Sequence, residues 1–237
     1  MRAAIVLLLA LALLAGGFAL HRLWTFGAFA GAEAPETDLS ALPDRIGDPA
    51  RPLRVSVLGT SLSRRGDWPA RLEARLAACR AAGAEVRRVA RPGASIRWGA
   101  QALPRALEGP PDLLLMEFSI NDASLAHGVP VARARALLDD MLARAEAAGV
   151  PVLLLSMNPA WGRERWERPG HAAHLALYGE AARAGRAGFL DVLRDWEALP
   201  GAERRPLAPD GLHPTPEGMA RVLLPPLEAA LAPLACD

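Results

Sequence analysis

From Leu53 to Leu62 the chain reads LRVSVLGTSL. The opening run, Leu53–Leu58, is β-favouring and mostly apolar, and it predicts a strand. Gly59-Thr60-Ser61-Leu62 follows at the point where a strand would turn into a helix. The same alternation continues downstream. Trp68–Ala82 carries Leu72, Leu76 and Cys79 at helical spacing, and Gly83 ends it. Glu85–Ala90 predicts a second strand. Gly99–Leu107 predicts a helix bent or interrupted at Pro104. Asp112–Phe118 is a near-continuous apolar run, the mark of a strand buried on both faces.

Val131–Ala148 predicts a long helix closed by Gly149-Val150-Pro151, and Val152–Ser156 a further buried strand. Ala172–Arg186 is helical, and Phe189–Leu193 is the last strand, holding Asp191 in a structural role. A final helix starts at Pro216 with Thr215 as its N-cap, and Pro225-Pro226 should break or kink it. Strands alternate with helices, and no Asn-Gly-type hairpin joins any pair. The fold class is therefore α/β, a three-layer α/β/α sandwich on a mainly parallel five-stranded sheet. Ligands of such sheets bind beyond the carboxyl ends of the strands. That directs attention to Gly59–Arg65, Arg91–Arg97, Ser119–Ser124, Met157–Gly170 and Asp210–His213.

Composition narrows the function. The 237 residues carry 27 basic and 26 acidic side chains, a net charge of +1, so nucleic acid is not expected as a partner. Two cysteines, Cys79 and Cys236, are too few for a metal centre, and the sequence leaves open whether they pair. Ala3–Leu20 is an uninterrupted apolar run behind Arg2 and ahead of His21 and Arg22. It reads as an export segment, either an uncleaved membrane anchor or a signal peptide cut near Ala28-Phe29-Ala30. The expected organisation is residues 1–30 as signal or anchor, 31–52 as a Pro-, Gly- and acid-containing linker, and 53–237 as the α/β domain. The location is then periplasmic or otherwise extracytoplasmic.

Several residues at the strand ends carry chemistry. Ser61 sits where backbone N–H groups can face a developing oxyanion, although a serine there also serves as a turn or cap residue. Asp210 and His213 lie in Pro209-Asp210-Gly211-Leu212-His213-Pro214. A carboxylate three residues away can orient the imidazole and leave its other nitrogen as a base. Asn121, in Ser119-Ile120-Asn121-Asp122, can offer its side-chain amide to a negative oxygen or simply form a turn. Gly93 can bring a bare backbone N–H close to a substrate, or form a turn. Asp122 is assigned to local backbone hydrogen bonding. Trp161 and Trp166, in the Met157–Gly170 connection, can stack on a sugar, cover an acyl chain, or pin the loop to the body. His171 and His174 share a helical face, but a third metal ligand is not apparent.

In this order the blocks resemble those of the SGNH, or GDSL, hydrolase superfamily, from about Leu53 to the C-terminal helix. The resemblance implies a flavodoxin-like sandwich and an acyl-enzyme mechanism without a cofactor. Ser61 would be the nucleophile, His213 its base and Asp210 the residue orienting His213. The Ser61 and Gly93 backbone N–H groups and the Asn121 amide would form the oxyanion hole. Two positions depart from the family pattern: Thr60 replaces the Asp of Gly-Asp-Ser-Leu, and Ser119 replaces the first Gly of Gly-x-Asn-Asp. The expected activity is that of an exported serine esterase acting on an O-acetyl or other short acyl ester, carried by a small molecule or a polysaccharide. Alternatives are transfer of the acyl group to a sugar hydroxyl, a lipid or thioester substrate, and a non-catalytic envelope-binding module.

Overall fold

The computed structural model describes residues 2–236. Five strands form one sheet: β1 (Leu53–Gly59), β2 (Ala84–Ala90), β3 (Leu113–Met116), β4 (Val152–Leu155) and β5 (Gly188–Leu190). Their spatial order is β2-β1-β3-β4-β5, and every neighbouring pair is parallel. Register is set by pairs such as Val57 with Leu115 and Met116 with Leu154.

The first helices are α1 (Arg2–Thr25), α2 (Ser61–Arg65), α3 (Trp68–Cys79) and α4 (Ile96–Ala106). Between β3 and β4 lie the short α5 (Ser119–Asp122) and the long α6 (Val131–Ala147). Between β4 and β5 lie α7 (Arg163–Trp166) and α8 (His171–Arg183). The C-terminal part holds α9 (Leu193–Ala198), α10 (Gly201–Leu207), α11 (Pro216–Gly218) and α12 (Leu224–Ala235).

Strands β3 and β4 are apolar throughout because both faces are covered. Val55, Val57, Leu113, Leu115, Leu153 and Leu155 share a core with Leu72 and Leu76 of α3 and Leu227 and Leu231 of α12. The alternate residues Leu58, Leu114, Met116, Val152 and Leu154 pack with Leu103 of α4, Leu138 of α6 and Tyr178 of α8. Strand β2 is an outer edge and exposes Arg87 and Arg88, charges that discourage further strand pairing.

The opposite edge is strapped by the stretch expected as a linker. Asp38 N–H donates to Phe189 O at 2.9 Å, and Phe189 N–H donates to Asp38 O at 2.7 Å. Leu42 and Ile46 are buried in the core shared by α3 and α12. Residues 31–52 therefore lie on the domain, and the apolar spacing of Leu39, Leu42 and Ile46 is what holds them there.

Three local expectations change. Helix α4 begins at Ile96, ahead of Gly99, because the Asp122 carboxylate accepts the Ile96 N–H at 2.7 Å and caps its first turn. Pro225-Pro226 does not break the last helix. A π-helical turn at Met219–Leu223 precedes α12, so both prolines fall in its first turn, where a missing N–H is tolerated. Asp191 lies just past β5, where it accepts from Ser156 Oγ at 3.1 Å and Leu193 N–H at 3.0 Å. Cys79 and Cys236 form a disulfide with their Cα atoms 5.2 Å apart. It joins the ends of α3 and α12, where the Arg80 guanidinium also binds Ala235 O at 2.8 Å.

Candidate active site

Strand β1 is flanked by β2 and β3, so the loops that follow these three strands stand side by side. Ser61 follows β1, Gly93 follows β2 and Asn121 follows β3. Hydrogen bonds stitch the three loops together. Arg91 N–H donates to Gly59 O at 3.1 Å, Glu117 N–H to Leu58 O at 3.3 Å, and the Asn121 side-chain amide to Ala94 O at 3.0 Å. That last bond uses one of the two amide protons and leaves the other available. Pro92 and Gly93 occupy the centre of a turn closed by Ala94 N–H to Arg91 O at 3.2 Å. Gly93 takes φ +68°, which a glycine adopts without strain. Among the described residues, neither the Gly93 nor the Ser61 backbone N–H donates to an internal acceptor.

Thr60 caps α2, its hydroxyl accepting from Leu62 N–H at 3.2 Å. An oxygen-bearing side chain there performs the capping that Asp would, so the departure from Gly-Asp-Ser-Leu keeps the turn. The nearly buried Ser61 hydroxyl lies 2.9 Å from His213 Nε2, and His213 Nδ1 lies 2.7 Å from an Asp210 carboxylate oxygen. The other Asp210 oxygen accepts the backbone N–H of His213 at 2.7 Å and of Leu212 at 2.9 Å. With Nδ1–H donating to Asp210, Nε2 is left to accept the serine proton. Burial raises the Asp210 carboxyl, but these two N–H groups and the His213 ring outweigh it and hold the acid below its ordinary value.

The loop carrying Asp210 and His213 is held from the β4 side. Asn158 donates its amide to Leu212 O at 2.8 Å, and Trp161 N–H donates to Gly211 O at 2.9 Å. Gly211 has φ +82°, and a Cβ there would stand 2.6 Å from Trp161 O. Buried Met157, at φ +60°, is the one non-glycine residue in the left-handed region among those described. Its unfavourable backbone lies directly before Asn158, where the chain leaves β4 and turns towards His213.

Buried Glu117, at the end of β3, is a site residue that the motif reading passed over. Its carboxylate accepts Thr60 N–H at 2.5 Å, Thr60 Oγ–H at 2.9 Å and Ser63 Oγ–H at 2.7 Å, bracketing Ser61 on both sides. Desolvation raises its pKa to about 7 against the pull of those donors. Asp122, also buried, is raised well above the ordinary value by desolvation, with the Glu117 charge adding to it. The signal in the sequence was one acid inside an apolar strand, since a carboxyl there needs donors to be buried.

The two tryptophans separate. Trp161 is half-buried, with its ring centroid 6.4 Å from that of Trp196 and the Arg204 guanidinium over its face. Trp166 is 83% exposed. His171 Nε2 lies 3.4 Å from Ser119 Oγ, whereas His174 turns inward towards Gly170 O and Val129 O. Burial lowers the pKa of both rings, and His174 and Arg168 beside His171 push it further. The two rings therefore do not face a common point. A serine hydroxyl bonded to an imidazole, itself bonded to a carboxylate, can be deprotonated as it attacks a carbonyl.

The model of the GDSL-like lipase/acylhydrolase family matches residues 47–221. Similar solved structures share the fold. TesA is 26% identical, with 76% of this chain and 98% of that chain covered and a TM-score of 0.61. A lipase/acylhydrolase from Enterococcus faecalis is 23% identical over 76% and 93% of the two chains, TM-score 0.59. Axe2, an acetylxylan esterase from Geobacillus stearothermophilus, is 15% identical over 78% and 96%, TM-score 0.64. A search of curated proteins returned no match.

Proposed function

Since the chain belongs to the GDSL-like lipase/acylhydrolase family, we propose that it is an exported, membrane-anchored serine esterase that removes a short acyl group, such as O-acetyl, from a saccharide. The observation that carries the catalytic part is the continuous hydrogen-bonded line from Ser61 through His213 to Asp210. In this reading Ser61 Oγ attacks the ester carbonyl carbon while His213 Nε2 takes its proton. Asp210 holds the ring and stabilises the imidazolium. Negative charge collects on the former carbonyl oxygen, towards the Ser61 and Gly93 N–H groups and the free proton of the Asn121 amide. Collapse breaks the ester C–O bond, and the leaving alcohol takes the proton from His213. Water, deprotonated by His213, then releases the acid and restores Ser61.

Export is supported by two features. Ile5–Thr25 is long and apolar enough to cross a membrane and is not buried in the protein. The Cys79–Cys236 disulfide is of a kind that persists in oxidising compartments. The saccharide preference rests on Trp161, an aromatic ring only half-buried beside the loop that carries His213.

Hydrolysis of p-nitrophenyl esters of increasing chain length by the full chain, beside Ser61→Ala, tests the proposal. Acetate turnover that vanishes in the variant is the expected result. Turnover that survives Ser61→Ala overturns the catalytic assignment, and a preference for long chains overturns the short-acyl reading.

A further inference from the structure

The end of α1 is fastened to the edge of the sheet that carries the site. The Arg22 guanidinium donates to Leu125 O, its Nε at 2.9 Å, and lies over the Phe26 ring. Phe26 is buried, 6.4 Å from the His174 ring between centroids. The chain runs so close that a Cβ on Gly27 would stand 2.5 Å from Ala173 Cβ, and one on Gly170 only 1.7 Å from Phe26 O. Leu125 lies in the connection after β3, shortly past Asn121. Gly170, Ala173 and His174 lie in the connection after β4, beside His171. Both connections leave the carboxyl ends of the strands, the edge that carries Ser61 and His213.

Ahead of that joint the described side chains of α1 are exposed from Ile5 to Leu20. Ile5–Thr25 is long and apolar enough to cross a membrane, about 31 Å at helical rise with its last turn, from Arg22, at the joint. Around the joint stand exposed aromatics: Trp24 (72%), Phe29 (58%) and Trp166 (83%). Trp166 directly follows the exposed Arg163 and Arg165 in α7, and its segment is tied to the same Leu125, whose N–H donates to Glu167 O at 2.8 Å. Tryptophan interleaved with arginine at the end of a spanning helix is the chemistry of the lipid–water interface, where an amphipathic ring meets headgroups.

We infer that the catalytic edge of the sheet faces the bilayer, with Trp166 seated among the lipid headgroups, and that the ester is carried by a membrane-bound molecule. This deepens the esterase proposal and rests on α1 being retained as an anchor. The joint is short and packed, so the domain does not swing on a flexible tether. Trp161 stays with the His213 loop, while Trp166 binds the surface that presents the ester.

The test uses the full chain in phosphatidylcholine–phosphatidylglycerol vesicles containing brominated phosphatidylcholine. The native cysteines are paired, so a new thiol is the one labelling site. An environment-sensitive fluorophore is attached in Trp166→Cys and, at the opposite edge, in Glu146→Cys, an exposed residue near the end of α6. The expected result is a blue shift and strong quenching at 166, with neither at 146. Equal quenching at both sites, or none at 166, overturns the inference. Gly27→Val, which forces the joint apart, should relieve quenching at 166, and unchanged quenching there overturns the role of the joint. Labelling of Ser61 by a soluble fluorophosphonate, measured in the same samples without lipid, reports the esterase reading separately.

Discussion

Glu117→Gln should reverse its effect on stability between acid and alkaline pH. In the native protein the carboxyl is buried and its pKa stands at about 7, against 4.5 for the free group. The unfolded chain therefore gives up this proton first, and stability falls as pH rises from the unfolded value through the folded one. A gap of two to three pKa units corresponds to about 3 kcal/mol, fully lost only above the folded pKa. Glutamine does not ionise and removes that fall. It keeps an oxygen for Thr60 N–H and Ser63 Oγ–H, but its amide nitrogen replaces the oxygen that accepts Thr60 Oγ–H.

One hydroxyl proton then loses its acceptor, at about 1 kcal/mol. The variant should thus be less stable than the native protein near pH 4, below the unfolded carboxyl's value, and more stable, by about 2 kcal/mol, near pH 8. Urea unfolding of both proteins across that range is the assay. His171 and His174, whose lowered pKa values make stability fall on the acid side, are present in both proteins and largely cancel in the difference. Removing the Glu117 charge also eases the ionisation of Asp122, which acts in the same direction. Parallel stability curves for the two proteins would refute the reasoning, because a carboxyl buried in this way could not then be titrating against its desolvation.

In the proposed mechanism the Asn121 amide stabilises the developing oxyanion, so Asn121→Ala should lower kcat by about 10²–10³ with KM little changed. Steady-state turnover of p-nitrophenyl acetate checks it, and equal losses in Ser119→Ala would assign the effect to the turn instead. Reduction of the Cys79–Cys236 disulfide, which closes a loop of sequence separation 157, should destabilise the protein by up to about 5 kcal/mol on the chain-entropy account. Urea unfolding with and without reductant measures it. Catalysis by the still-folded reduced protein should persist, since Ile46 N–H to Leu234 O at 2.9 Å and Arg80 to Ala235 O at 2.8 Å also hold the C-terminal segment.

The strands, the main helices and the loops at the strand ends were legible because they rest on local pattern. An apolar run such as Leu113–Met116 is a strand buried on both faces wherever it sits in a sheet. Ser61 and the Asp210–His213 pair stood out because motif spacing is local too. Glu117 did not, although its residue type was visible. Its partners Thr60 and Ser63 are 57 and 54 positions away, and only the pairing of β1 with β3 brings them to it. Residues 31–52 read as a linker because Pro, Gly and acids hide the spacing of Leu39, Leu42 and Ile46, which becomes meaningful only against the α3–α12 face. The Pro225-Pro226 pair failed as a break because a π turn ahead of it places both prolines in a first turn.

What the sequence determined by itself is the alternation of strands and helices and the chemical parts Ser61, Asn121, Asp210 and His213, which depend on residue type and near neighbours. Tertiary structure decided what those parts do together: the 2.9 Å contact from Ser61 to His213 across 152 positions, the buried carboxylate behind the serine turn, and the joint of Arg22 with Leu125 across 103. The physical reason is that hydrogen bonding and burial act through space over a few ångströms. Separation along the chain carries no information about that distance until the sheet order is set.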